Sequence, residues 1–367
     1  YKELINENSI NHEVFSNLAV IYWIQGLKDK SLPLLKRALE LKPDYPEAIY
    51  NMGLCLSYKK DLFKAIELFE RALIYKSDYL ACTNSLIAAL NKLGIQLIRQ
   101  KDVDMAIQIF IKLLKYLPNS SDVLNNLGNA YMMNKQFEQA EIYFLKAFNI
   151  NPKNKFVLIN LGALSRYKGD MDSAINFLEK SLSIDPEFAE TYYNLGITYN
   201  EKGNKEMAIK FYKNAIKKDI NFVSAYNNLA ILFEKDGELN DAINCLKKAI
   251  SVNPNFYEGH NNLGTIYDQK GDDDLAIEHY INAINLNKMY PEALNNLGSI
   301  YNKIGDVRQA ISCLEKALKI NPNYPQALNN LSISFKKKGD LDTAIKYLKK
   351  AIQLKNRYPE ALFNLGN

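Results

Sequence analysis

No stretch of the chain approaches the roughly 18 unbroken apolar residues that a bilayer-spanning helix needs. Residues Tyr1 to Asn11 also lack the basic-then-apolar layout of a secretory leader. There are only four cysteines, Cys55, Cys82, Cys245 and Cys313. They form no CxxC or Cys/His ligand spacing and are too few for a disulfide framework in a chain of 367 residues. A reducing compartment follows, read as the cytoplasm, with nucleus and periplasm as alternatives. The three histidines, His12, His260 and His279, are scattered, so neither a metal site nor a Cys/His nucleophile pair is expected. No catalytic residue, metal or cofactor is expected. Charge of one sign is also scarce: the net +5 is concentrated in Pro325 to Tyr358, where eight Lys/Arg face two Asp, and the remainder is close to neutral. Lys336, Lys337 and Lys338 read as a solvated turn, because no basic stripe recurs elsewhere; nucleic acid and membrane are not expected partners.

What the chain does have is a period. Asn126, Asn160, Asn194, Asn228, Asn262, Asn296, Asn330 and Asn364 stand 34 residues apart, and Asn17 and Asn51 share that spacing. Ser85 holds the equivalent place in a third unit, and the step from it to Asn126 is longer by seven residues. One column of small residues runs from Ser31 through Ala65, Ala106, Ala140, Ala174, Ala208, Ala242, Ala276, Ala310 and Ala344. A second runs through Ala38, Ala72, Ala147, Ser181, Ala215, Ala249, Ala283, Ala317 and Ala351, interrupted by Leu113. Packed helices leave no spare volume at such positions. Aromatic residues such as Tyr131, Tyr199, Tyr267 and Phe335 lie five positions beyond most of the asparagines and fill the gap between paired helices. Prolines such as Pro43, Pro152, Pro254 and Pro322 end a helix; glycines such as Gly169, Gly203 and Gly237 mark a tight turn. Each unit therefore reads as helix, turn, helix, turn.

The 34-residue period, with words such as Ala293-Leu-Asn-Asn-Leu-Gly298, resembles the tetratricopeptide repeat family over the whole chain. The resemblance implies an all-α fold: an α-solenoid, a right-handed superhelix of helix-turn-helix repeats whose first helices line a concave groove. Ten complete repeats are expected over 12–358, after the end of a preceding one at 1–11 and before the start of an eleventh at 359–367. The third, 80–120, is extended by seven residues; this is close to two helical turns, so Leu86, Leu90, Leu93 and Leu97 stay on one face. Neither end carries a polar capping repeat, which implies a fragment of a longer protein and a route to self-association through the uncapped ends.

Function then depends on what faces outward from the first helices. At 100° per residue, Tyr192, Leu195, Gly196 and Tyr199 share one sector, and Asn194 lies opposite them. A carboxamide there can bond the N–H and C=O of an extended chain without reading its side chains. The column resembles the asparagine ladder in the repeats of O-linked N-acetylglucosamine transferases. That resemblance implies a peptide-binding role for Asn17, Asn51, Asn126, Asn160, Asn194, Asn228, Asn262, Asn296, Asn330 and Asn364, with Ser85 departing from it. The competing reading is that the same amides serve the repeat stack itself.

Other outward positions are apolar in the first five repeats (Trp23, Ile24, Tyr50, Tyr58, Met133, Phe156, Ile159, Tyr167) and polar from the seventh onward (Asn227, Glu234, Asn261, Gln269, Asn295, Asn302, Lys303). Trp23, Tyr50 and Tyr58 join the expected peptide-binding set, since exposed aromatics favour partner contact. Acidic residues (Glu47, Asp122, Glu190, Glu258, Glu292) stand where a clamp for C-terminal carboxylates would need cations, so that mode is not expected. The chain is read as a non-catalytic scaffold binding a protein or extended peptide. The alternative is the substrate-recruiting arm of a larger enzyme, such as a protein O-glycosyltransferase, whose catalytic domain lies outside this sequence.

Overall fold

The computed structural model describes residues 11–366, and all of its regular elements are α-helices. Among the described residues there are 21 helices and no strand. They fall into two compact units that divide at Asp185 and Pro186.

The first unit contains five helical hairpins: His12–Ile24 with Lys28–Leu41, Pro46–Tyr58 with Leu62–Tyr75, Leu80–Arg99 with Val103–Leu114, Ser121–Met133 with Phe137–Ile150, and Lys155–Tyr167 with Met171–Ile184. The second contains five more: Ala189–Glu201 with Lys205–Lys218, Val223–Lys235 with Leu239–Val252, Tyr257–Lys270 with Asp273–Leu286, Pro291–Ile304 with Val307–Ile320, and Pro325–Lys338 with Leu341–Leu354; Pro359–Gly366 follows. The hairpins are numbered as repeats one to ten below.

Local chemistry sets the boundaries. Side chains of Asp61, Asp102, Asp170, Asn204, Asp306 and Asp340 accept from the backbone N–H three residues on and so start second helices. The turn between paired helices needs one left-handed residue. Gly169, Gly203 and Gly305 supply it at φ of 83°, 82° and 90°, but Lys60, Lys101 and Lys135 fill the same place at 66°, 63° and 59°. Second helices end on an extended residue: Asn151, Asn253 and Asn321, each before a proline, have φ of −137°, −125° and −126°. Lys76 and Asp219, with no proline after them, are equally extended at −143° and −137°. Proline therefore reinforces a stop that the geometry already imposes.

Both small-residue columns are sealed in the interior; Ala65, Ala106, Ala208, Ala242, Ala215 and Ala249 are wholly inaccessible. Ser31 and Ser181, the polar members, satisfy their hydroxyls by donating to the carbonyls of Ala19 (2.9 Å) and Lys155 (3.4 Å). The long helix Leu80–Arg99 buries Leu86, Leu90, Leu93 and Leu97, so its seven additional residues keep the stripe on the core side. The aromatics five places beyond the asparagines stack on a second-helix ring twelve residues later: Tyr131 on Tyr143, Tyr199 on Phe211, Tyr267 on His279 and Phe335 on Tyr347, at centroid distances of 5.4, 5.3, 5.4 and 5.7 Å.

Candidate functional site

The asparagine column occupies the first helices, and the stack ties it together by a recurring rule. Six of its members, Asn160, Asn228, Asn262, Asn296, Asn330 and Asn364, donate a side-chain N–H to the residue 35 positions earlier, the neighbour that precedes the asparagine of the previous repeat. In the first unit Asn160 donates to Asn125 Oδ1 at 2.9 Å. Tyr50 and Ser85, in the same relative positions, share a hydroxyl–hydroxyl bond of 3.3 Å. In the second unit Asn262 donates to Asn227 (2.9 Å), Asn296 to Asn261 (3.1 Å), Asn330 to Asn295 (3.0 Å) and Asn364 to Asn329 (2.9 Å). Asn228 uses the phenol oxygens of Tyr193 and Tyr212 at 3.3 and 3.4 Å. Two lateral bonds, from Asn261 to Asn262 Oδ1 (3.5 Å) and from Asn295 to Asn296 Oδ1 (3.2 Å), join the rungs into one amide chain from Asn330 to Asn227.

This arrangement corrects part of the outward-facing set. Ile159, Asn261, Asn295 and Asn302 are buried, with only 5–7% of their surface exposed. Asn261 and Asn295 occupy the position that receives the rung from the following asparagine, a place roofed by the adjacent first helix. Asn302 is held by its own amide on the Asn330 carbonyl (2.9 Å) and by the Ser334 hydroxyl on its Oδ1 (2.8 Å). The column asparagines themselves lie at intermediate depth, except for Asn17, which is exposed. Asn194 differs again: its N–H goes to the Glu190 carbonyl of its own helix at 2.9 Å.

The family of this stack can be read directly. Tetratricopeptide repeat models match residues 12–45, 88–120, 121–154, 189–222, 223–256, 245–278, 291–324 and 313–346, and a further TPR repeat model matches 162–203, 264–305 and 333–367. Together these matches span most of the chain. It belongs to the tetratricopeptide repeat family. Among solved structures, the fold is similar to yeast Tom70 (TM-score 0.53, 19% identity, 97% of this chain and 88% of that one). It is also similar to Cut9–Hcn1, an APC/C hetero-tetramer (TM-score 0.58, 15% identity, 100% of this chain and 91% of that one). A 51-residue segment is 41% identical to the photosystem I assembly protein Ycf3 of Prochlorococcus marinus, covering 14% of this chain and 30% of that protein.

Tetratricopeptide repeats bind proteins or peptides, and what varies along this stack is the chemistry of a second rung. It links the position seven beyond each asparagine to the position six beyond the previous one. In the first unit one such rung is aromatic: Tyr58 meets Trp23 edge to face, at 5.6 Å between centroids. Tyr167, in the rung position of the fifth repeat, stacks at 3.9 Å on Phe137, a second-helix ring. In the second unit the rung is polar: Gln269 donates to Glu234 (2.7 Å), Lys303 to Asp268 (3.0 Å), and Lys337 to the Asn302 carbonyl. The same pair of positions therefore fastens neighbouring repeats through rings at Trp23 and Tyr58 and through polar side chains in repeats seven to ten. Of the three aromatics expected to bind peptide, Tyr58 is exposed and Trp23 partly so; Tyr50 packs on Phe69 and Tyr79. Asn51 and Trp23 line one small cleft.

Two features had no sequence signal. His260 and His279, 19 residues apart, meet with their Nδ1 atoms 3.0 Å apart across the eighth hairpin, and burial holds both below the ordinary imidazole range. A first-helix glycine two beyond the asparagine lies against a second-helix ring in several repeats, Gly53 against Phe69, Gly128 against Phe144, Gly196 against Tyr212 and Gly264 against Tyr280, while Gly162 and Gly298 lie against Leu178 and Leu314. Only the fold brings these residues together. Burial pushes the Cys82 and Cys245 thiols up to about 11, so neither is a thiolate at neutral pH. Among the described residues, no group of three or more His, Cys, Asp or Glu could hold a metal, and no helix is long and apolar enough to cross a membrane.

Proposed function

We propose that this chain is a non-catalytic scaffold that holds an extended segment of a partner protein along its first helices, with the asparagine column gripping the partner's backbone. The observation that carries this reading is the state of the amides. A carboxamide has two N–H donors and two acceptor lone pairs. Asn262 and Asn296 each spend one N–H on the preceding repeat and one lone pair on the neighbouring asparagine. One donor and one acceptor remain, which is what a passing peptide unit requires. Because the rungs fix the amide planes, a partner does not have to order them, and preorganisation of this kind favours affinity.

Calorimetry tests the proposal. Partners captured on the full chain are reduced to overlapping peptides and titrated against the chain and against a variant carrying Asn160→Ala, Asn194→Ala, Asn228→Ala and Asn262→Ala, well below its melting temperature. Several bonds of about 0.5–1.5 kcal/mol each lead to an affinity loss of at least about tenfold with helicity unchanged. Undiminished affinity would leave the column with a purely structural role. A second reading, the substrate-recruiting arm of a larger enzyme such as a protein O-glycosyltransferase, draws on the same column; the residues encoded after Asn367 in the full gene decide it.

A further inference from the structure

We infer that Trp23 and Tyr58 form a seat for one positively charged side chain of the bound partner, and that the chain's own Lys28 fills this seat when no partner is present. The inference rests on the partner-binding reading above and adds side-chain selectivity to a grip on the backbone.

The two rings meet at 84°, with centroids 5.6 Å apart, and so make an inside corner with an aromatic face on each wall. The Lys28 ammonium sits in that corner, 3.6 Å from the Tyr58 centroid and 4.9 Å from that of Trp23. Both distances are within the roughly 6 Å over which a ring quadrupole attracts a cation. A carboxylate stands next to Lys28 in sequence, yet Asp29 pairs with Lys59 instead, at 3.3 Å. The corner thus selects a cation on its own, without a carboxylate, and Lys28 shows which chemistry it accepts.

Lys28 lies in the first turn of Lys28–Leu41 on a flexible stem, so it can swing into water when another cation arrives. The exchange releases one ammonium to solvent and takes up another cation, with no charge left buried. A guanidinium suits the corner better than an ammonium, because it is planar, stacks on indole and is less strongly hydrated. Trp23 shares its cleft with Asn51, so a backbone held at that amide lies within reach of the seat for its own side chain.

Trp23 is the only tryptophan in the chain, so indole emission reports on this corner directly. The probe is an acetylated, amidated Gly-Ser-Arg-Ser-Gly peptide, compared with the same peptide carrying neutral citrulline. The Arg peptide is expected to change emission saturably and the citrulline peptide to bind several-fold more weakly. Lys28→Ala, which empties the seat, is expected to bind the Arg peptide several-fold more tightly than the unmodified chain. Tyr58→Leu is expected to lose the response, and Tyr58→Phe, which keeps the ring and controls for folding, to retain it. Equal responses to Arg and citrulline, or no gain on removing Lys28, would overturn the inference. None of the four asparagine substitutions above touches Trp23. Loss of Arg selectivity with partner binding intact therefore counts against the seat alone, and loss of partner binding with Arg selectivity intact counts against the backbone grip alone.

Discussion

Asn296 donates its side-chain N–H to the Oδ1 of Asn261 at 3.1 Å, and the two residues stand 35 positions apart in a chain whose period is 34. The one-residue offset makes the rung diagonal: it joins the asparagine of one repeat to the residue before the asparagine of the last. Doubled words such as Asn261-Asn262 and Asn295-Asn296 are then two ends of successive rungs. The first amide receives, and the second gives.

The column asparagines accordingly differ in what their loss does to stability. Asn262→Ala removes the donor to Asn227 and the acceptor for Asn261, which is 7% exposed, so a nearly buried amide is left under-bonded. A cost of about 1–3 kcal/mol is expected. Asn194→Ala removes only a bond to a carbonyl of its own helix, and a change within about 0.5 kcal/mol is expected. Denaturant unfolding of the two variants checks this, read together with amide hydrogen exchange in the affected first helix. Equal losses would show that the rungs carry no stability. The sequence-based expectation that the amides lie clear of the core thus fits Asn194 better than Asn262.

The ring-on-glycine contact leads to a second prediction. A methyl built on Gly128 would lie 2.6 Å from Cδ1 and Cε1 of the Phe144 ring, which is wholly inaccessible and has nowhere to move. Gly128→Ala should cost about 1–3 kcal/mol by overpacking. Ala19, Ala230 and Ser332 are larger residues at this position, and all three are buried. The residues sixteen positions on are Leu35, Leu246 and Leu348, not rings. The double change Gly128→Ala with Phe144→Leu should therefore recover part of the loss, and a double-mutant cycle by thermal unfolding measures how much.

The fold was legible because its signals are local and repeated: a period of 34, small residues at fixed places, and helix stops and starts that recur. The column asparagines were equally visible as residues. Their partners were not, because a rung joins residues 35 apart, and helical geometry within one element says which side a residue faces but not which neighbour roofs it. That is why Asn261 and Asn295 read as outward yet are buried. The His260–His279 contact was hidden for the same reason. The lysines in the turns are a different case: Lys60, Lys101 and Lys135 stand in the glycine column, and only the backbone shows that they take glycine's conformation.

Those lysines give a third prediction. Lys135 sits at φ 59°, a left-handed conformation that costs an L-residue about 1–2 kcal/mol and glycine little. Lys135→Gly should stabilise the fourth repeat by up to about 1 kcal/mol, because the greater freedom of glycine in the unfolded chain offsets part of the gain. Lys135→Ala keeps the strain and should give no such gain. The pair of variants, compared by denaturant midpoint, separates relief of strain from loss of charge.

The final prediction concerns acid. The Nδ1 atoms of His260, on Tyr257–Lys270, and His279, on Asp273–Leu286, can share one hydrogen, with one ring donating and the other accepting. Burial is the largest influence on both rings and disfavours their charged forms; His260 and Lys247 lower His279 further, and Glu278 opposes the shift in each. Both folded-state values therefore lie below the ordinary 6.5. In the window below 6.5 the unfolded chain binds more protons than the folded one, so stability is full above that pH and falls as pH drops toward the folded values. Two imidazolium rings cannot keep Nδ1 atoms 3.0 Å apart, since each would present a hydrogen to the other, so the second proton must open the contact between the helices of the eighth repeat. Thermal unfolding from pH 7.5 to 5 should fall more steeply for the unmodified chain than for a variant with His260→Gln and His279→Gln, with the two curves running parallel above 7. Proton NMR titration of the ring resonances gives an independent reading: midpoints at or above 6.5 for both rings, or identical pH slopes for the two proteins, would sink the prediction.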